Sequence, residues 1–534
     1  MNSECLPYSQ IPHTTRLFSD FLSYQPSVRQ FYPRSPHFTE WMQDESAGLR
    51  YDNTRRERVS SVLQSQNEAW GASPKTLANI ARLRSGAAAV VTGQQVGLFG
   101  GPLFSIFKAL TAVKLSDLAT QSGIDCVPIF WLATEDHDLA EINQAQLPGP
   151  DYSLQKFTVP VQTIADAPVG TIRFGSEIDS VVDAAAGVLG DSEAASWLRE
   201  SYRSGETFGS AYARLFARIF GDWGVILLDS SDRVFHQISE PLLRAAIEKS
   251  AALEDALLAR GRELEAAGYH QQVKVSPSST LLFAIQNGAR IPLQRRDDEF
   301  LIGDNQVTKA DLLSRVSAEP ENFSAKVLLR PIMQDYLLPT LAYTGGSAEV
   351  AYFAQAAVVY QTLLGRITPI IPRFSATIVE SKPHTLLDRY SLNFADLFQG
   401  PEGVRERIAA SVLPEQLQSA FERASQSLDA SLAEVRNHLV ALDKTLVEAA
   451  DNAAAKMRHQ LESLQARAAR AEARQSEVIE RKAQVLSSLL YPNKTLQERE
   501  INGIYFVSRF GKDLLQNLYD AIHADCLDHQ IISL

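Results

Sequence analysis

Between Ala87 and Asp138 the chain runs from an apolar stretch through a glycine-rich loop and a helix-length pattern into a second apolar stretch. Ala87–Val91 (AAAVV) reads as a buried strand and Thr92–Gly101 (TGQQVGLFGG) as the loop. Pro102 to about Gln121 reads as the helix, and Val127–Ala133 (VPIFWLA) as a second strand ending in Thr134-Glu-Asp-His-Asp138. Two parallel strands joined by a crossover helix make a βαβ unit, right-handed in nearly every case. The carboxyl ends of both strands then share one edge, where open α/β sheets bind their ligands. Here one end carries Thr, Gly and Gln, and the other Glu, Asp and His.

The loop has the means to hold an anion. Gly93, Gly97, Gly100 and Gly101 permit close backbone approach, and Pro102 suits a first helical position, where an N–H has no partner to lose. A helix start offers unpaired N–H groups and partial positive charge to a phosphate or carboxylate. No Gly-Lys-Ser/Thr closes the loop, and its spacing is G-x3-G-x2-G-G rather than G-x-G-x-x-G, so neither phosphate-loop signature is present. A tight turn would use the same glycines. The grammar recurs: Leu338–Tyr343 reads as strand, Thr344–Ser347 (TGGS) as loop, Ala348–Leu364 as helix, then apolar Thr368–Ile371. Two such loops are expected to face one crevice. Glu349 falls in the first turn of the second helix, a position that serves the helix dipole as readily as catalysis.

Around these units, residues 1 to about 85 read as helical and aromatic-rich. The segment 151–204 reads as an insertion with strands at Phe157–Val161 and Thr171–Phe174, and Gly224–Asp229 as another buried strand. A helical stretch from Asp232 to Ala267 precedes short strands at 271–275, 280–285, 289–293 and 298–302, an antiparallel patch. Thr308 with Asp311 marks a helix start near 309–316. Between Pro414 and Pro492 there is neither Gly nor Pro, and apolar residues step by three and four through Leu428, Leu432, Val435, Leu439, Leu442 and Leu446, resuming at Leu461, Leu464, Ala468 and Ala471. That is a coiled-coil seam with one stutter, and Asp443-Lys-Thr445 is a candidate hairpin break. An intrachain hairpin together with a homodimer contact would bury it. The end, with Ile504, Phe506, Val507, Phe510, Leu514 and Leu518, is too apolar for a free tail and should return to the core.

A length of 534 residues calls for two or three domains. The formal charge of −12 argues against broad nucleic-acid binding. Three widely spaced cysteines, Cys5, Cys126 and Cys526, suggest no disulfide framework, the first twenty residues read as no signal peptide, and no apolar run is long enough to span a membrane. The expectation is a cytoplasmic protein.

Four stretches carry a resemblance. TGQQVGLFGGPLFSIFKA (92–109), PIFWLATEDHDLAEIN (128–143), LLRPIMQDYLLPTLAYTGGSAEVAYFAQ (328–355) and LQERE (496–500) resemble, in order and across essentially the whole chain, the BshC family of bacillithiol biosynthesis cysteine-adding enzymes. The resemblance implies a fold of class α/β: a Rossmann-like parallel-sheet core with connecting-peptide insertions plus a C-terminal α-helical coiled coil. We divide the chain accordingly into a ligase core at 1–385 (insertions at about 150–205 and 270–305), a helical coiled-coil domain at 386–500, and a C-terminal segment at 501–534. The reaction it implies joins cysteine to glucosaminyl-malate. More distantly the arrangement resembles the class I aminoacyl-tRNA synthetase core, whose His-x-Gly-His motif would fall on Phe99-Gly-Gly-Pro102. Both histidines are missing here, so that part of an adenylation mechanism does not carry over.

Amide synthesis needs an activated carboxyl group, a seat for cysteine and a base for the amine. ATP as activator rests on the ligase analogy alone. His137 is the first candidate for base or substrate orienter, or else hydrogen-bonded scaffold. Asp136 and Glu135 are candidates to hold an ammonium, or Mg²⁺ through oxygen, and Asp138 belongs to the same block. No protein metal site is expected. Thr92, Gly93, Gln94 and Gln95 would meet a carboxylate or sugar hydroxyl. Lys108, Arg330 and Arg373 are anion partners or plain ion-pair residues. Tyr343 and Tyr352 would pack a sugar or belong to the core, and Gly345, Gly346 and Glu349 complete the second loop. An anionic, malate-bearing substrate is expected over the helix beginning at Pro102. The alternatives are a non-catalytic scaffold of the thiol pathway and a nucleotidyltransferase-like enzyme with another acceptor.

Overall fold

The structure, a computed structural model, describes residues 2–411, 415–443, 445–475, 477–523 and 526–534. At its centre five strands run parallel: β1 (Ala88–Gln94), β2 (Cys126–Leu132), β3 (Ile226–Asp229), β4 (Thr340–Gly345) and β5 (Ile370–Pro372), ordered β5-β4-β1-β2-β3. All seven residues of β2 are buried, as a parallel strand covered on both faces requires. From β1 the chain steps outward to β2 and β3, then returns to the other side of β1 for β4 and β5. The order therefore reverses between β1 and β4, and that switch point is where such sheets open a crevice at their carboxyl ends.

Helix α1 (Phe104–Gln121) follows β1, α2 (Arg233–Glu248) follows β3, and α3 (Ser347–Leu364) follows β4. α1 is buried almost all round, because the sheet covers one side while helices Gly503–Phe510 and Asp513–Ala521 cover the other. Phe107 and Leu110 share one apolar cluster with Ile504, Phe506, Leu514 and Leu518.

Three local expectations fail. Residues 271–275 form no strand: the Gln355 side chain bonds both the N–H and the C=O of Val273, at 2.9 and 2.8 Å, in place of a neighbouring strand. Thr171–Phe174 makes only a 3-10 turn and one bridge, Arg173 to Thr207, in an insertion that is otherwise helical at Glu177–Leu189 and Glu193–Ser201. Asn2–Leu6, inside the region read as helical, is a strand; it pairs with His529–Ser533, which in turn pairs with Ala376–Val379. The antiparallel patch is real and larger than expected. Its strands are Ser279–Gln286, Ala289–Arg296, Glu299–Ile302, Asn305–Thr308 and Phe323–Ala325. Thr308 caps the following helix, accepting from Asp311 N–H at 3.1 Å.

The Gly- and Pro-free stretch forms α4 (Glu415–Leu442), α5 (Leu446–Gln475) and α6 (Glu477–Leu490). α4 and α5 lie antiparallel, with Arg436 on Asp451 at 2.8 Å and Arg458 on Asp429 at 2.7 Å. Thr445 donates twice to Asp443 in the turn between them; Lys444 of that turn, like Pro414, lies outside the described residues.

Candidate active site

A cavity of about 600 Å³ opens at the carboxyl edge of the sheet, over the switch point. Gly93, one residue before the end of β1, lies against β2: a Cβ there would stand 2.9 Å from the Trp131 carbonyl oxygen, so only glycine lets the strands close. Lys108 reaches up from α1, donating to Gly93 C=O (2.7 Å) and Gln94 Oε1 (2.8 Å) and pairing with Glu349 Oε2 (2.6 Å) from the first turn of α3. One buried ion pair thus joins the two glycine loops. Burial pushes the Lys108 ammonium down to about 8, with Glu349 pulling the other way. Burial also works against an ionised Glu349, but Lys108, Tyr343 and the Gly346 N–H outweigh it and hold the carboxyl below its ordinary value.

The β2 end supplies the acid block. Glu135 meets His236 Nε2 of α2 at 3.1 Å; that imidazole is only 2% exposed. Asp136 accepts from Gln95 Nε2 and from the His137 N–H, each at 2.7 Å. His137 Nδ1 lies 3.1 Å from Arg290 Nη1, a residue of the antiparallel patch. Beyond β5, Arg373 is gripped by Glu498 at 2.6 and 3.1 Å, both side chains buried. Arg330 pairs with the Tyr352 hydroxyl and stands over the Tyr343 ring.

Of the residues singled out from the sequence, Gly93, Gln94, Gln95, Lys108, Glu135, Asp136, His137, Arg330, Gly346, Glu349, Tyr352 and Arg373 line this one cavity. Four others support it from outside. The buried Thr92 hydroxyl donates to Thr344 C=O across β1 and β4, and Asp138 caps the short helix Leu139–Ile142. Tyr343 is buried against Phe353, and Gly345 makes room for the Glu349 side chain. The expected anion seat over Pro102 is narrowed. Leu103 N–H is spent on Ile501 C=O at 2.9 Å, and Pro102 borders a second, smaller cavity instead.

Sequence reasoning missed Glu141, Phe283, Arg290, Lys326 and Arg499 on the wall, and His236 behind it. Lys326 stands out. Among the described residues its ammonium has no hydrogen-bond or ion-pair partner and sits over the Phe283 ring at 5.2 Å, and burial pushes it down to about 8. No group of three or more His, Cys, Asp or Glu side chains converges as a metal site among the described residues, and no helix there is long and apolar enough to cross a membrane.

Comparison with known proteins divides the chain in two. Residues 1–374 match the family model described as bacillithiol biosynthesis BshC, N-terminal Rossmann-like domain; residues 376–534 match bacillithiol biosynthesis BshC, C-terminal coiled-coil domain. Full-length relatives bear the name "Putative cysteine ligase BshC". The one from Koribacter versatilis is 48% identical over 532 residues and that from Solibacter usitatus 35% over 533, each alignment covering 100% of both chains. The one from Salinibacter ruber is 33% identical, covering 97% of this chain and 96% of its own.

Proposed function

The chain belongs to the BshC family, and on that premise we propose that it is a cysteine ligase of bacillithiol biosynthesis, joining the carboxyl group of cysteine to the amine of glucosaminyl-malate. The observation that carries this reading is the two-signed lining of the cavity: Lys108, Arg290, Lys326, Arg330, Arg373 and Arg499 share it with Glu135, Asp136, Glu141 and Glu349. Glucosaminyl-malate brings carboxylates and an amine, and cysteine brings one of each with its thiol. A site for both needs cations and anions within one volume of this size.

A free carboxylate does not acylate an amine, and a nucleoside triphosphate would supply the activation, with Mg²⁺ arriving on its phosphates. Arg499 and the first turn of α3 are the groups that would face those phosphates. At the start of α1 the Leu103 N–H is already spent on Ile501 C=O of the C-terminal segment.

Incubating the purified chain with cysteine, glucosaminyl-malate and ATP should give a product whose mass is the sum of the two reactants less one water. No product with or without ATP would sink the reading. Product only after other pathway proteins are added would favour a scaffold, and product from a different amine would move the acceptor. We place this chemistry in the cytoplasm, where thiols stay reduced.

The coil supports a homodimer. Val435 and Leu464, two positions of the apolar seam, are 53 and 56% exposed, surface that a partner coil would cover. Sedimentation should give twice the chain mass and return to one chain for Val435→Glu with Leu464→Glu; a monomeric parent would refute it.

A further inference from the structure

His137 is held in a way that removes the role its position first suggests. A guanidinium has only donors, so the 3.1 Å contact makes Nδ1 the acceptor and leaves the ring proton on Nε2. While that bond stands, the imidazole has no free lone pair for a substrate proton; it offers a donor. Asp136 is also engaged, by Gln95, the His137 N–H and Arg290 Nη1 at 3.8 Å. Glu135 differs. Its carboxylate lines the cavity, and its buried side is met by His236 Nε2 from α2.

We propose that Glu135 is the group that takes the proton from the incoming amine, that His236 is its positioning residue, and that His137 serves as an Nε2–H donor to the substrate. The assignment rests on the ligase reading. The amine nitrogen attacks the activated carboxyl carbon of cysteine and a C–N bond forms. The bond from that carbon to the leaving oxygen breaks, its electron pair staying on oxygen, and the nitrogen gives its proton to Glu135.

The surroundings suit the pair. Arg290 faces Glu135 from the antiparallel patch, Asp136 is its chain neighbour, and Asp229 lies close at the end of β3. Glu321 and the Phe323 carbonyl face His236 from the turn and strand packed on α2. Burial works against a charged His236, but Glu135, Phe323 and Glu321 outweigh it and raise its pKa. The imidazole fixed beneath the carboxylate, its Nε2 at 3.1 Å, keeps one oxygen oriented and leaves the other for the substrate.

Three variants test this: Glu135→Gln removes the base, His236→Gln keeps an N–H for Glu135 but not the titratable charge, and His236→Leu removes both. Turnover should fall by about 100-fold or more in Glu135→Gln and by about 10-fold in His236→Gln, with KM for both substrates nearly unchanged. In His236→Gln the acid limb of the pH–rate profile should also move to higher pH, and His236→Leu should be slower than His236→Gln. Loss that is equal at every pH, or equal for the two histidine variants, would overturn the assignment. NMR of ring-labelled histidine reads the pair without turnover: the His236 imidazolium should persist to higher pH in the parent than in Glu135→Gln. Identical titrations would overturn the pair itself. The imidazolium signal intact in an enzyme that makes no product would overturn the ligase reading, and with it the proton role, while leaving the ion pair.

Discussion

The two passages from strand through glycine loop to helix share a pattern in the sequence and differ in what closes them. At the first, the C-terminal segment ties the loop down and takes one of the N–H groups an anion would use. Leu103 N–H donates to Ile501 C=O, Gly503 N–H to Gly101 C=O, and Asn502 Nδ2 to Leu98 C=O at 2.8 Å. At the second, the first turn of α3 faces the cavity, its Gly346 N–H held by its own Glu349 at 2.7 Å. A helix start offers an incoming anion only the N–H groups that the chain leaves free. At α3 the capping side chain lies three residues along; at α1 the partner is a segment some four hundred residues away.

The largest effect expected from breaking this arrangement lies in the bond between the loops. Lys108→Met would leave Glu349 buried with only neutral donors, a loss of about 3–5 kcal/mol in urea unfolding, and Glu349→Gln added to it should recover most of that. A cost below about 1 kcal/mol would mean that the pair does not tie the loops together. Asn502→Ala addresses the closed loop alone. It strands the Leu98 carbonyl and uncaps Ile504 N–H, which should cost about 1–3 kcal/mol of stability and change anion affinity much less. Affinity lost with stability kept would mean the first loop holds ligand after all.

The same contrast explains what could be read beforehand. The apolar run VPIFWLA and its polar end placed β2 and the acid block correctly, because burial on both faces leaves an uninterrupted hydrophobic signal. Arg290 and Lys326 were invisible for the opposite reason. The strand that carries Arg290 is half exposed, and nothing in it says which face meets a cavity; Lys326 stands just past the short strand Phe323–Ala325, where nothing in the sequence marks it. His236 lies inside an amphipathic helix, where a buried histidine looks like core until Glu135 is seen against it. The strand Asn2–Leu6 has its partner at His529–Ser533, a pairing that no window along the chain contains.

Lys326 gives the smallest effect and the sharpest reading of the open loop. Burial pushes its ammonium down to about 8, Arg290 adds to the depression, and no anion among the described residues offsets it. An ammonium attracts a carboxylate and a neutral amine does not. Affinity for L-malate should therefore be full on the acid side and fade as pH rises through about 8. Bound malate favours the charged form, so the fade in the complex sits somewhat above that value. Lys326→Met should weaken malate binding by about tenfold, near 1.4 kcal/mol, at pH values where the parent lysine is charged, and should flatten the dependence. Calorimetric titrations on both proteins from about pH 6.5 to about pH 9.5 separate the outcomes. If the variant keeps the parent's affinity and slope, the anion lies elsewhere. Arg499 and the α3 start would then be the open loop's charge, and Lys326 would be left as a cation resting on Phe283.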